Sequence, residues 1–196
     1  MKKGKLLIFS APSGSGKTTL VNHLLENIPN MAFSVSATTR APRGEEQNGV
    51  EYYFMSLEEF QQRVENDEFL EWQEVYPGRC YGTLKAVVEK MQEEGMHVAF
   101  DVDVVGGTNI KKFYGDKALS VFIQAPSIEV LRDRLVKRQT DSMEEIEKRL
   151  AKAQWEMDFA QGKFDCTIIN DDLETAKADI LDVVTQFLEQ EEPCEE

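Results

Sequence analysis

Several things are scarce in this chain of 196 residues, and each scarcity excludes something. No apolar run approaches the ~18 residues needed to span a bilayer. Met1-Lys2-Lys3 ahead of Leu6–Phe9 has the charge order of a secretory leader. The apolar stretch is too short, however, and a glycine-rich loop follows at once, so no leader is read there. Cysteine is rare: Cys80, Cys166 and Cys194 are odd in number and lack metal-type spacing. Reduced thiols in a cytoplasmic protein are expected. Positive charge is also short, with 22 Lys and Arg against 36 Asp and Glu, a net charge of −14. That excludes the broad basic face a nucleic-acid surface needs. It leaves open a local arginine pocket for a small phosphorylated ligand. There are no internal repeats and no low-complexity linker. The acidic tail Glu191–Glu196 reads as a solvated, frayed end.

What is present is enough apolar character, 41%, for a real core. Apolar strands at Lys5–Ser10, His97–Asp101, Ala118–Gln124 and Cys166–Asn170 alternate with helical patterns. Those helices are expected at Thr18–Ile28, Leu84–Glu94, Val105–Phe113, Ser127–Arg138, Ser142–Gln161 and Leu173–Gln190. Alternation of this kind predicts an α/β fold, a parallel sheet covered by helices on both faces. Met31–Thr39 is mixed and extended. The stretch from about Val35 to Lys90 is more polar and reads as a lobe inserted between the first and second core strands. Within it, Ser56-Leu57-Glu58-Glu59 predicts a capping box opening a helix to Glu65. Phe69–Val75 predicts a strand and Tyr76–Gly82 a turn. A second capping box is expected at Ser142-Met143-Glu144-Glu145. Ligands of such sheets bind at the carboxyl ends of the strands, here the loops after residues 10, 101 and 124.

The first of those loops is "SAPSGSGKTT", Ser10 to Thr19. Gly14 and Gly16 permit positive φ and close approach, so backbone N–H groups can surround phosphate oxygens ahead of a helix. Lys17 supplies a point charge for the β- and γ-phosphates, and Thr18 a hydroxyl for Mg²⁺. A strict GxxxxGK[ST] pattern would place glycine at position 11, where this chain has Ala11. That position shapes the turn, while Gly16, Lys17 and Thr18 hold the chemical positions. Residues Ala11, Pro12, Ser13, Gly14, Ser15, Gly16, Lys17, Thr18 and Thr19 are therefore assigned to a nucleoside triphosphate, which the resemblance given below implies is ATP.

A second candidate anion site lies in "SATTRAPRGEEQNGVEYYF", although two arginines in a polar loop, taken alone, read more readily as solvated surface. Arg40 and Arg43 can grip phosphate through paired N–H groups. Hydroxyls of Ser36, Tyr52 and Tyr81 can share that anion.

With these stretches together, the chain resembles the guanylate kinases, which phosphorylate GMP with ATP. The resemblance is carried by "SAPSGSGKTTL", "SATTRAPR" with "NGVEYYF", "FLEW", "CYGT", "FDVDVVG" and "INDD", in family order over residues 5–172. It implies a P-loop NTPase core (1–34, 84–125 and 163–196), a GMP-binding lobe (35–83) and helices carrying a small lid (126–162). It implies GMP phosphate at Ser36, Arg40, Arg43, Tyr52 and Tyr81, with the family's loop glutamate at Glu46. The base-reading carboxylate falls on Glu71, with Thr83 as hydroxyl partner. Guanine presents N1–H and N2–H₂ donors that an acceptor-only carboxylate fits, whereas adenine presents an acceptor at N1. Asp101 and Asp103 are implied in ordering the guanine site and the metal's water shell. Asn170 and Asp171 fall on the adenine-side loop. Arg134, Arg138 and Arg149 are implied in contacts to the ATP phosphates, and with Lys17 and Arg40 form the catalytic set.

The chain departs from the family pattern in three places. Glu45 stands where glycine is usual, "VYPGRCYG" is one residue longer, and Lys137-Arg138-Gln139 replaces Gly-Arg-Gly. The expected reaction is ATP + GMP (or dGMP) → ADP + GDP, in purine nucleotide metabolism. Partners are these small molecules, without nucleic acid or membrane, for a monomer or homo-oligomer. Another small-molecule phosphotransferase, a GTPase and an inactive binding module are the competing readings. A GTPase is disfavoured because no NKxD-type motif occurs. A binding module is disfavoured because Gly14, Gly16, Lys17 and Thr18 are all intact.

Overall fold

The computed structural model describes residues 3–138 and 142–190. The acidic tail with Cys194, and lid residue Gln139, lie outside the described residues. Five strands form an all-parallel sheet in the order β2-β7-β1-β8-β9. They are β1 (Leu6–Ser10), β2 (Met31–Phe33), β7 (His97–Asp101), β8 (Ala118–Gln124) and β9 (Cys166–Ile169). The central strand β1 is buried at every position, which is why its sequence runs apolar without alternation. Leu7 and Phe9 face helices α1 (Lys17–Asn27) and α7 (Leu173–Glu189), meeting Leu20, Leu24, Ile180 and Val184. Leu6 and Ile8 face the other way, onto Val88 of α3 (Lys85–Glu93) and Ile110 of α4 (Val104–Tyr114). The edge strand β2 falls inside the segment read only as mixed and extended.

A second sheet, β4-β3-β6-β5, joins β3 (Ala37–Thr38), β4 (Tyr53–Phe54), β5 (Phe69–Tyr76) and β6 (Arg79–Leu84). Its own apolar cluster holds Ala37, Phe60, Phe69, Cys80 and Leu84. Phe60 lies on α2 (Leu57–Glu65) and stacks on Phe69 at 4.4 Å between ring centroids. The expected turn at Tyr76–Gly82 shrinks to Pro77-Gly78, because residues from Arg79 onward pair with β5 as strand β6. The Ser56 capping box is half made. Ser56 Oγ accepts from the Glu59 N–H, but the Glu59 carboxylate turns to Arg63.

Helices α5 (Ile128–Arg138) and α6 (Met143–Ala160) pack on each other through Leu131, Leu135, Ile146 and Leu150. The box at Ser142 is complete, with Ser142 and Glu145 exchanging side-chain-to-backbone bonds. Burial pushes the Cys166 thiol up to about 11, and Cys80 and Cys166 are both unbridged. No described helix is long and apolar enough to cross a membrane.

Candidate functional site

The carboxyl ends of β1 and β7 open onto a cavity of about 510 Å³. One wall is the loop from Ala11 to Gly16 and the first turn of α1. Gly14 and Gly16 both sit at φ 93°, in the left-handed region. Gly16 occupies the N-cap of α1 and offers no side-chain cap. The N-caps of α2, α4, α6 and α7 are by contrast filled by Ser56, Asp103, Ser142 and Asp172. The first N–H groups of α1 are thus left to a ligand, which suits an anion. Ala11 is half-buried and packs on the core beneath the loop. Pro12 turns the chain, its carbonyl accepting from the Ser15 N–H at 3.1 Å.

Asn170 braces this loop from behind. Its amide donates to the Ser15 carbonyl at 2.9 Å, in the space a Cβ on Gly16 would need. Its own carbonyl accepts from Arg134 at 2.7 Å. Asn170 is buried and, like Arg134 and Asp171, does not line the cavity. Asp171 is exposed beside it.

Lys17 pairs with Asp101 at the end of β7. Thr18 and Thr19 are exposed and line the same space. Asp103 does two things: its carboxylate caps α4 through the Gly106 N–H at 2.8 Å, and it lines the cavity. Among the described residues no three His, Cys, Asp or Glu side chains converge as a metal chelate.

The opposite wall is the lobe. Thr83 Oγ1 donates to Glu71 Oε1 at 2.7 Å. The Glu71 carboxyl rests against α4, close enough that a Cβ on Gly106 would stand 3.1 Å from its Oε2. Burial, with the Asp103 charge adding to it, holds the Glu71 carboxyl above its ordinary range against the opposing Thr83 bond. Strand β5 reaches this arrangement by a bulge. Phe69 pairs with Leu84 and Glu71 with Thr83, so one extra residue is taken up between them. Strict alternation would put Phe69 and Glu71 on one face. The bulge instead leaves Phe69 in the lobe cluster and Leu70 in the core cluster, and turns Glu71 to the cavity. A second register shift, between Glu74 and Tyr76, lies next to the "VYPGRCYG" turn, and Tyr81 stands opposite Gln73.

Ser36, Tyr52 and Tyr81 line the cavity. Arg40 does not, but its guanidinium lies 5.2 Å from the Tyr52 ring centroid. Glu46 holds it by two bonds, at 2.8 and 3.0 Å, and also accepts from the Arg43 N–H at 2.7 Å. The bonds from Arg40 and from the Arg43 backbone keep the Glu46 carboxyl low. Arg43 itself and Glu45 are exposed.

Arg138 and Arg149 complete the rim, Arg149 donating to Ser13 Oγ at 2.9 Å. Lys137 is exposed beside Arg138. Sequence reading missed five lining residues, Gln73, Gly82, Val102, Lys152 and Glu156, of which the last two are charged. Glu156 is only 5% exposed, and burial raises its carboxyl above the ordinary range. Its Oε1 lies 3.7 Å from the Lys152 ammonium. The available signal was spacing, since Arg149, Lys152 and Glu156 share one helical face. The lining then carries four cations (Lys17, Arg138, Arg149, Lys152) and four carboxylates (Glu71, Asp101, Asp103, Glu156). Within a chain of net charge −14, the cavity is locally balanced.

A family model described as guanylate kinase matches residues 3–189. Relatives named guanylate kinase from Bacteroides thetaiotaomicron and Porphyromonas gingivalis are 61% and 55% identical over 188 and 185 residues. These alignments cover 96% and 94% of this chain, and 92% and 98% of those proteins. A crystal structure of guanylate kinase from Anaplasma phagocytophilum superposes with a TM-score of 0.72 at 29% identity, covering 97% of this chain and 89% of that one.

Proposed function

The chain belongs to the guanylate kinase family, as an ATP:GMP phosphotransferase on a P-loop α/β fold, and from that premise we infer how its residues divide the work. The supporting observation is Glu71, part-buried and bonded by Thr83, lining the same cavity as the Gly14–Thr18 loop. ATP phosphates lie on the N–H groups of residues 14–18, with Lys17, Arg138 and Arg149 around them. Asn170 and Arg134 support that loop from behind. Guanine presents N1–H and N2–H₂ to Glu71, and the GMP phosphate meets Ser36, Arg40, Arg43, Tyr52 and Tyr81. Glu46 orients Arg40 and the Arg43 backbone.

A GMP phosphate oxygen attacks the γ-phosphorus, and the bond from that phosphorus to the β–γ bridging oxygen breaks, releasing ADP. The attacking group has a second pKa of about 6, so it is largely a dianion at neutral pH and needs no protein base. The protein's contribution is alignment and charge neutralisation. Mg²⁺ would fit here: Thr18 would offer one hydroxyl, with substrate phosphates and water as the remaining oxygen donors, which is how this ion is usually held. When bound, it neutralises phosphate charge.

The separate lobe sheet and the separate α5–α6 cluster support a division into core (1–34, 84–125, 163–196), GMP lobe (35–83) and lid-bearing helices (126–162). Closure of the outer parts on the core excludes water and suppresses ATP hydrolysis.

A coupled ADP-release assay with ATP and each of GMP, dGMP, AMP, UMP and CMP tests the reading. Turnover is expected with GMP and dGMP. Comparable kcat/KM for AMP would remove guanine recognition from Glu71, since a site built on such polar pairing discriminates by roughly 10⁴.

A further inference from the structure

Strand β5 presents a second polar side chain on the face that carries Glu71. Beyond the first bulge the ladder is regular: Glu71 faces Thr83, Trp72 faces Gly82 and Gln73 faces Tyr81. Gln73 therefore shares the Glu71 face, about 6.8 Å further along the strand, and it lines the same cavity. Trp72, between them, turns to the other side and meets Phe60 edge-on at 6.3 Å.

The two rungs differ chemically. The Glu71–Thr83 rung is a part-buried carboxylate bonded by a hydroxyl, with acceptor capacity left for a base edge. Tyr81, on the next rung, meets Tyr52 edge-on at 6.0 Å, and the Arg40 guanidinium lies over that same Tyr52 ring. The second rung thus belongs to the cationic, hydroxyl-rich end of the lobe. Directly opposed residues of an antiparallel pair project side by side, with Cβ atoms about 5 Å apart. Among the described residues the Gln73 amide has no hydrogen-bond partner, and Gln73, opposite Tyr81 in the ladder, lines the cavity with two N–H donors to offer.

We propose that Gln73 is a further substrate-binding residue, donating a side-chain N–H to the phosphate of GMP beside the Tyr81 hydroxyl. The inference rests on the placement of guanine at Glu71 and phosphate at the Arg40 cluster. A dianionic phosphate offers only acceptors, so the amide meets it N–H first.

The test is Gln73→Ala and Gln73→Glu, assayed in full with GMP and dGMP, with GMP affinity also measured by calorimetry. For Gln73→Ala the KM for GMP and for dGMP should rise together by about 10-fold, the size expected of a hydrogen bond to a charged group. The calorimetric Kd should follow. Gln73→Glu should raise both further, through repulsion. A bond present before and during transfer moves KM and leaves kcat close to the wild-type value. The KM for ATP and the melting temperature should hold, which a merely structural role would not produce. A loss confined to GMP, with dGMP unaffected, would place the amide on the 2′-hydroxyl and overturn the phosphate assignment. Unchanged KM for both substrates would make Gln73 an ordinary solvated edge-strand residue. Wild-type enzyme that failed to prefer GMP over AMP would instead sink the guanine reading itself, so the two failures are told apart.

Discussion

The Glu71 carboxyl is asked to be largely shielded from water and charged at once. Burial and the neighbouring Asp103 hold its proton on to higher pH than an ordinary carboxylate, although the Thr83 bond works the other way. Two consequences have opposite signs. Guanine needs the ionised form, so kcat/KM for GMP should fall on the acid side as Glu71 protonates. In Glu71→Gln that component disappears, leaving only the ionisation of the GMP phosphate near ~6. Stability runs the other way. With the folded pKa above the unfolded one, Glu71's contribution is fully present below the unfolded pKa and is lost as pH rises through the folded value. Glu71→Gln should therefore raise Tm at pH 7 and lose that advantage near pH 4, while its preference for GMP over AMP collapses. An unchanged preference, or a Tm lowered at pH 7, would mean that the carboxylate is not the strained, base-reading group. At this scale the sequence was legible wherever a motif fixed the spacing, as at Lys17 and at Thr83. Lys152 and Glu156 belong to no motif, and only their helical phase relative to Arg149 marks them.

Among the elements, β7 and β8 could be read to the residue because strands covered on both faces are apolar throughout. The lobe strands were harder. β3 and β4 are two residues each, too short to carry a period, and the first part of β6 lies within Tyr76–Gly82, which reads as a turn from sequence. Gly82 in fact lies in the ladder against Trp72, where a Cβ would collide with Phe69, the Glu71 carbonyl and Trp72. It is glycine for close approach between strands. Bulges defeat alternation in the same way, since the register is set by the partner strand. The two capping boxes illustrate a limit of local rules: an identical spacing closes fully at Ser142, while at Ser56 a competing Arg63 draws the glutamate away. Ser142→Ala removes the cap of α6, the helix that presents Arg149 and Lys152. The expected cost is about 1 kcal/mol, a fall in Tm of about 2–4 °C for a chain of this size. A Tm within 0.5 °C of wild type, as roughly expected of a neutral surface change, would show that packing on α5 alone fixes the helix start.

For the whole molecule, the parallel sheet and the lobe sheet share no strand, which invites a picture of two bodies joined by covalent links. Consecutive residues of β5 argue otherwise: Phe69 is buried among lobe side chains, and Leu70 beside Val98, Phe100 and Ile110 of the core. Taking either core apart withdraws a wall from the other. The lobe and the core should therefore unfold together, as one calorimetric transition whose van't Hoff and calorimetric enthalpies agree. Leu70→Ala should lower that transition and begin to divide it, and two peaks in the wild-type protein would contradict the linkage. A bulge of one residue thus makes the lobe a cooperative partner of the core's stability, so that GMP captured at the lobe should raise the melting point of the entire chain.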